Sequence, residues 1–253
     1  MDLRSSHRRR LVEVRVNSTS YDEVIQHTLS WAKTHDSRYI CFANVYSLME
    51  AHDSPEFRRS IESADLVTPD GMPLVWGLRL LGVPTATRVY GPDLTLLLLA
   101  AAEAQQVPVA FYGGTKAALD KLLSFARTRF PSLVVGYAFS PPFRHLTLQE
   151  DEHVVEAIRS SGVGIVFVGL STPKQELWMA AHRGRVNAVM LGVGAAFDFL
   201  SGAKPQAPRW MMRLGLEWFF RLCSEPKRLW KRYCKHNPRF LFYFLRQLLF
   251  GSR

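Results

Sequence analysis

The sequence predicts an α/β fold with a mainly parallel sheet flanked by helices, followed by a basic, aromatic helical tail. Short β-rich runs alternate with helix-length stretches of 10–15 residues, which is the pattern of βα units. Turn residues or polar clusters follow many of the runs. The net charge of +10 is also concentrated beyond residue 203.

Taken in order, residues 11–16 read as a strand, and 21–33 as a helix with Thr19 or Ser20 as its cap. A buried strand is expected at 39–43, helices at 45–50 and 55–63, and a brief strand at 65–68 ending in Pro69-Asp70-Gly71. Residues 73–81 and 91–106 read as helices, the first with Pro73 tolerated near its first turn. A strand at 107–112 is broken by Gly113-Gly114, and a helix follows at 116–129. Strands at 133–138 and 164–168 flank a helix at about 150–160; a helix at 173–182, a strand at 188–191 and a turn at 192–194 complete a Rossmann-like body. Pro205 and Pro208 mark a boundary, giving a core over 1–203 and an appendage over 204–253. In the appendage Trp210, Leu214, Trp218 and Leu222 recur at spacing four, as on one side of a helix. Pro226 suits the start of a second helix, and Asn237-Pro238 supplies the cap and first-turn proline of a third.

With 47% apolar and 21% charged residues, the 253-residue chain has the composition of an ordinary folded protein, neither disordered nor fibrous. The appendage holds twelve Lys or Arg against only Glu217 and Glu225, so it carries the whole net charge while the body balances; Arg4, Arg8, Arg9 and Arg10 make the N-terminus locally positive. Such a field recruits lipid headgroups, polyphosphates or nucleic acid. The apolar runs are too short and too interrupted by Arg and Lys to span a bilayer, so membrane association is expected to be peripheral. Cys41, Cys223 and Cys234 are scattered and odd in number, which indicates neither a disulfide scaffold nor a thiolate metal site. A reducing, cytoplasmic setting is the default, and no signal peptide is read.

Ligands of an open parallel sheet bind beyond the C-terminal ends of its strands. Asn44, Asp70-Gly71, Gly113-Gly114, and Gly169 with Ser171, Thr172, Lys174 and Gln175 all fall at such ends. Gly113-Gly114-Thr115-Lys116 lacks the spacing of a Walker loop, and Gly192-Val193-Gly194 lacks the third glycine of a dinucleotide fingerprint. Glycine turns before helix N-termini can still cradle a diphosphate, or can simply turn the chain. Asp70 suits a turn for its geometry, or a general base at a strand end. Arg88 is either a bidentate anion ligand or a solvated arginine. No Asp-x-Asp pair, Gly-x-Ser-x-Gly elbow or metalloprotease-like histidine spacing occurs, so no metal site and no cofactor are expected.

Together these residues resemble the WecG/TagA/CpsF family of bacterial glycosyltransferases. The resemblance runs through Phe42-Ala43-Asn44, Pro69-Asp70-Gly71, Arg88-Val89, Gly91-Pro92-Asp93-Leu94 and Phe111-Tyr112-Gly113-Gly114. It continues through Val168-Gly169 to Glu176, Gly192 to Asp198, Gly215-Leu216-Glu217-Trp218 and the tail from Glu225 to Phe240, covering roughly residues 12–250. It implies an inverting enzyme that moves a sugar from a UDP-sugar to a polyprenyl-diphosphate-linked saccharide, in cell-surface or exopolysaccharide biosynthesis. It further implies Asp70 as base, Asn44, Arg88 and Gln175 in the pocket, and tail arginines reaching the diphosphate, for which Arg221, Arg228 and Arg232 are the candidates. Gly113, Gly114, Gly169 and Gly194 complete the expected binding set. One departure is Phe42, where some members have Thr two residues before the pocket asparagine. The expected partners are the donor, the lipid-linked acceptor and an anionic membrane at the cytoplasmic face of the bacterial inner membrane; a homo-oligomer is left open. Two rival readings are a nucleic-acid-binding protein that uses the tail, against which the neutral body weighs, and a non-catalytic sugar-nucleotide sensor.

Overall fold

A computed structural model describes residues 8–251; Arg4 and Arg253, counted above among the basic positions, lie outside them. The chain opens with β1 (Arg8–Leu11), β2 (Val14–Asn17), α1 (Tyr21–Lys33), β3 (Arg38–Ala43), α2 (Val45–Asp53), α3 (Pro55–Glu62), β4 (Leu66–Pro69) and α4 (Met72–Leu80). It continues with α5 (Gly91–Ala104), β5 (Val109–Gly113), α6 (Lys116–Arg129), β6 (Val135–Phe139), α7 (Leu148–Ser160), β7 (Ile165–Gly169), α8 (Lys174–His182) and β8 (Val189–Gly192). Four helices close it: α9 (Ala196–Leu200), α10 (Arg209–Arg213), α11 (Glu217–Ser224) and α12 (Pro226–Phe250). The fold is α/β, with a six-stranded sheet in the order β4-β3-β8-β7-β5-β6 and flanking helices. Contacts divide the described chain into two compact units: residues 8–20, 42–90 and 205–251, and residues 21–41 and 91–204.

In the second unit β3–β8, β7–β8, β5–β7 and β5–β6 all pair in parallel. β5, β7 and β8 are almost wholly buried, which explains why they read as continuous apolar runs without alternation. Phe111 stacks on Phe167 at 5.5 Å between ring centres, and Phe197 meets Phe111 edge-on at 5.8 Å. Two of the unit's helices begin at side-chain caps. Thr115 caps α6, and Thr147 forms a reciprocal capping box with Glu150 at the start of α7.

In the first unit the expected single strand over 11–16 is instead a hairpin, with β1 antiparallel to β2. Val12 at φ 57° makes the turn without the glycine that would have announced it. Leu11, Val14 and Val16 are buried, beside Leu48 and Met49 of α2, Phe57 and Ile61 of α3, and Leu74 of α4 in the unit's core. The tail belongs to this unit.

Two expectations for the tail are corrected. The spacing-four stripe from Trp210 to Leu222 does not lie on one helix, because the chain breaks between α10 and α11. Gly215 takes φ +71° there, with Leu216 N–H bonding Met211 O and Gly215 N–H bonding Met212 O, a Schellman closure. Neither does Asn237-Pro238 start a third helix, since α12 runs unbroken for 25 residues with Pro238 inside it. An interior proline forfeits a backbone hydrogen bond at a cost of ~3 kcal/mol. Leu229, His236, Phe240 and Phe244 are buried on both sides of it, and this packing offsets the loss. No helix among the described residues is long and apolar enough to cross a membrane.

Candidate active site

The first unit contains a cavity of about 430 Å³ whose lining includes Asn44, Asp70, Arg88, Glu217, Arg221, Arg232 and Tyr233. Backbone pairing sets its centre. Asp70 N–H donates to Ala43 O at 2.8 Å and Val89 N–H donates to Pro69 O at 3.0 Å, so the turn carrying Asp70 is held between the segments carrying Asn44 and Arg88. Asn44 caps α2: its Oδ1 accepts from Ser47 N–H at 3.2 Å, while Ser47 Oγ accepts from Asn44 N–H. Asp70 itself precedes α4, whose N-terminal dipole favours a negative charge.

Arg88 is occupied inside the protein. Its Nε donates to the main-chain oxygen of Asp70, and its Nη2 pairs with Glu217 Oε2 at 2.5 Å and lies 3.9 Å from Asp70 Oδ1. Its guanidinium also lies 4.2 Å from the centre of the Tyr90 ring. Burial opposes the Arg88 charge, but the carboxylates of Asp70 and Glu217 outweigh it and raise its pKa. Burial, with Glu217 adding to it, pushes the Tyr90 hydroxyl up, so Tyr90 stays neutral.

Arg232 has the opposite surroundings. It sits over the Tyr46 ring at 3.6 Å and has no carboxylate partner among the described residues, and its buried Nε makes no hydrogen bond. Burial pulls its pKa down to about 10; Tyr233 opposes the shift and the charges of Arg221 and Arg228 reinforce it. A half-buried cation beside other cations is a seat for an anion. Arg228 is not part of the lining. It is half-exposed and bidentate to Glu225 at 2.6 and 2.7 Å.

The remaining expected residues gather in the second unit, at the C-terminal ends of β5, β7 and β8. Gly113 pairs with Gly169 in register, and Gly114 N–H donates to Gly169 O at 3.0 Å. Gly113 takes φ +124°, and a Cβ there would lie 2.6 Å from the Gly169 backbone. A Cβ on Gly169 would strike the Phe197 ring at 2.8 Å, so this close packing accounts for both glycines. Gln175 Nε2 donates to Gly192 O at 2.7 Å, and its buried Oε1, without a hydrogen-bond partner, lies next to Gly194.

Glu217 is named in the matched run 215–218 but is given no site role from the sequence, although it is one of only two acidic residues in a strongly basic tail, which was the available signal. Tyr46 and Tyr233 were missed as well, and no motif marks them. Among the described residues no group of His, Cys, Asp and Glu is placed to hold a metal ion.

A carboxylate at a strand end, set among arginines in one cavity, has the layout of an enzyme site. Comparison with known proteins makes this more definite. The Glycosyl transferase WecG/TagA/CpsF family matches residues 9–253, and the chain belongs to that family of glycosyltransferases. It is 32% identical over 196 residues to the N-acetylglucosaminyldiphosphoundecaprenol N-acetyl-beta-D-mannosaminyltransferase of Bacillus spizizenii, covering 77% of this chain and 74% of that protein.

Proposed function

We propose that this glycosyltransferase moves a sugar from a UDP-sugar to a polyprenyl-diphosphate-linked saccharide, with inversion, at the cytoplasmic face of the bacterial inner membrane. The product serves cell-surface or exopolysaccharide synthesis. The observation that carries the reading is the pairing, in one cavity, of the Asp70 carboxylate with Arg221 and the half-buried Arg232, which has no carboxylate partner among the described residues. The Bacillus relative, by its name, builds on a sugar diphosphate carried by undecaprenol, which is an acceptor of the chemistry such a cavity suits.

In the proposed step the acceptor hydroxyl oxygen attacks the anomeric carbon of the donor from the face opposite the nucleotide. Asp70 takes the hydroxyl proton as the new C–O bond forms, and the bond to the UDP oxygen breaks with its electron pair leaving on UDP. Arg232 and Arg221 hold the diphosphate of the lipid acceptor by charge-assisted hydrogen bonds. Arg88, already neutralised by Glu217 and Asp70, positions the base. Asn44, whose Oδ1 is spent on its cap, offers its amide N–H groups to substrate hydroxyls. Gly113, Gly114, Gly169, Gln175 and Gly194 are the proposed residues for the donor nucleotide, with the orphaned Gln175 Oε1 accepting from a base or sugar N–H or O–H group. Arg228 contributes charge near Arg232. No resident cofactor or metal enters this scheme.

Incubation of the purified chain with a panel of UDP-sugars and a short-chain lipid-diphosphate saccharide, read by product mass, tests the proposal. One donor is expected to give a product heavier by one sugar, and none on the same saccharide lacking the diphosphate. Donor binding with no transfer to any such acceptor would favour a sensor instead.

A further inference from the structure

We infer that the β1–β2 hairpin is a second membrane-contacting element, one that binds anionic phospholipid headgroups beside the apolar end of α12. The inference rests on the reading that this enzyme meets a membrane-held acceptor, but its evidence lies away from the cavity.

Arg10 stands directly opposite Arg15 in the hairpin register, and both are exposed. Like charges opposed across a strand pair destabilise it. Among the described residues neither arginine has a carboxylate partner. Arg9, also exposed, donates to the main-chain oxygen of Arg8 at 3.4 Å. Arg10 and Arg15 share the outer face of the hairpin and Arg9 is exposed at its rim on the other face; among the described residues none of the three has a counter-charge, and an external anion would relieve the repulsion.

The hairpin is fastened to the last turns of α12. Gln247 Nε2 donates to Arg10 O at 2.6 Å, and Val12 N–H donates to Gln247 Oε1 at 2.7 Å. Leu11 and Phe244 also meet over Gly77, where a Cβ would lie 2.7 Å from one and 3.3 Å from the other. On α12, the neighbours of Gln247 are Leu245, Arg246, Leu248, Leu249 and Phe250, all exposed, with Phe250 at 82%. The basic strand pair and the apolar helix end are therefore held together by direct bonds. Apolar side chains that enter the acyl boundary next to arginines at headgroup level are the composition of a bilayer-facing surface. A single-stranded nucleic acid would call for stacking rings, and this helix end is mostly leucine.

The full chain would be measured for binding to phosphatidylcholine vesicles with and without phosphatidylglycerol, alongside the triple variants R9Q/R10Q/R15Q and R9K/R10K/R15K. Each basic side chain near an anionic surface contributes enough that losing three should weaken binding to the anionic vesicles by roughly a hundredfold. The lysine triple should bind as the parent does, and turnover on a water-soluble short-chain acceptor should be unchanged in both. Unchanged anionic-vesicle affinity in the glutamine triple overturns the inference, as does tighter arginine-dependent binding to single-stranded RNA than to the vesicles. If the parent chain forms no product with any donor but its vesicle binding still depends on these arginines, the surface stands and the proposed reaction falls.

Discussion

Replacing Glu217 with Gln isolates the contact that joins the tail to the turn carrying Asp70. The Glu217 and Arg88 side chains are only 13% and 15% exposed and meet at 2.5 Å. Stranding one member of a fully buried pair costs about 3–5 kcal/mol. Here Arg88 keeps the main-chain oxygen of Asp70, the Asp70 carboxylate at 3.9 Å and the Tyr90 ring, and the cavity can admit water. The expected loss is therefore smaller, about 1–3 kcal/mol. Urea unfolding at neutral pH should show it as a lower midpoint with an unchanged slope. Turnover should fall too, because the freed guanidinium turns toward Asp70 and competes for the carboxylate proposed to accept the proton. A Glu217→Gln protein with the parent midpoint and the parent turnover would refute the role given to this pair.

Other perturbations follow from the same geometry. Arg232→Gln should raise the KM for a lipid-diphosphate acceptor about ten- to a hundredfold while leaving the KM for the nucleotide sugar unchanged, since a hydrogen bond to a charged group contributes about 1.5–3 kcal/mol; steady-state kinetics with each substrate varied checks this. Gly113→Ala should cost more than about 3 kcal/mol by urea unfolding, because the φ of +124° adds strain to a backbone clash. His236 has its pKa lowered below 6.5 by burial first, then by Lys235 and Arg239. The unfolded chain therefore takes up its proton before the folded one does, and stability falls as pH drops from 6.5 toward the folded value. Comparing unfolding midpoints at pH 5.5 and 7.5 should show that slope reduced in His236→Gln.

Legibility in the sequence depended on whether the signal was local. The helix over 21–33 was read to its exact ends, and so was that over 116–129, where Thr115 caps the start. The strand-end placement of Asn44 and Asp70 followed from short β-rich runs set between helix-length stretches, and the structure does bring them together with Arg88. Tertiary packing decided what the local rules missed. Val12 turns without glycine because Gln247, far along the chain, accepts its N–H. Pro238 stays within α12 because residues on either side of it are buried. Glu217 was hidden for a related reason: its meaning lies in Arg88, 129 positions away in the chain.

The central claim is that Asp70 takes the acceptor proton in sugar transfer. Single-turnover transfer from the productive UDP-sugar to a lipid-diphosphate acceptor, in the parent chain and in Asp70→Asn, tests it most directly. Loss of a general base predicts a rate lower by about a hundred- to ten-thousandfold, with donor and acceptor binding and the urea midpoint essentially preserved. A folded Asp70→Asn protein that transfers sugar at the parent rate would contradict the account.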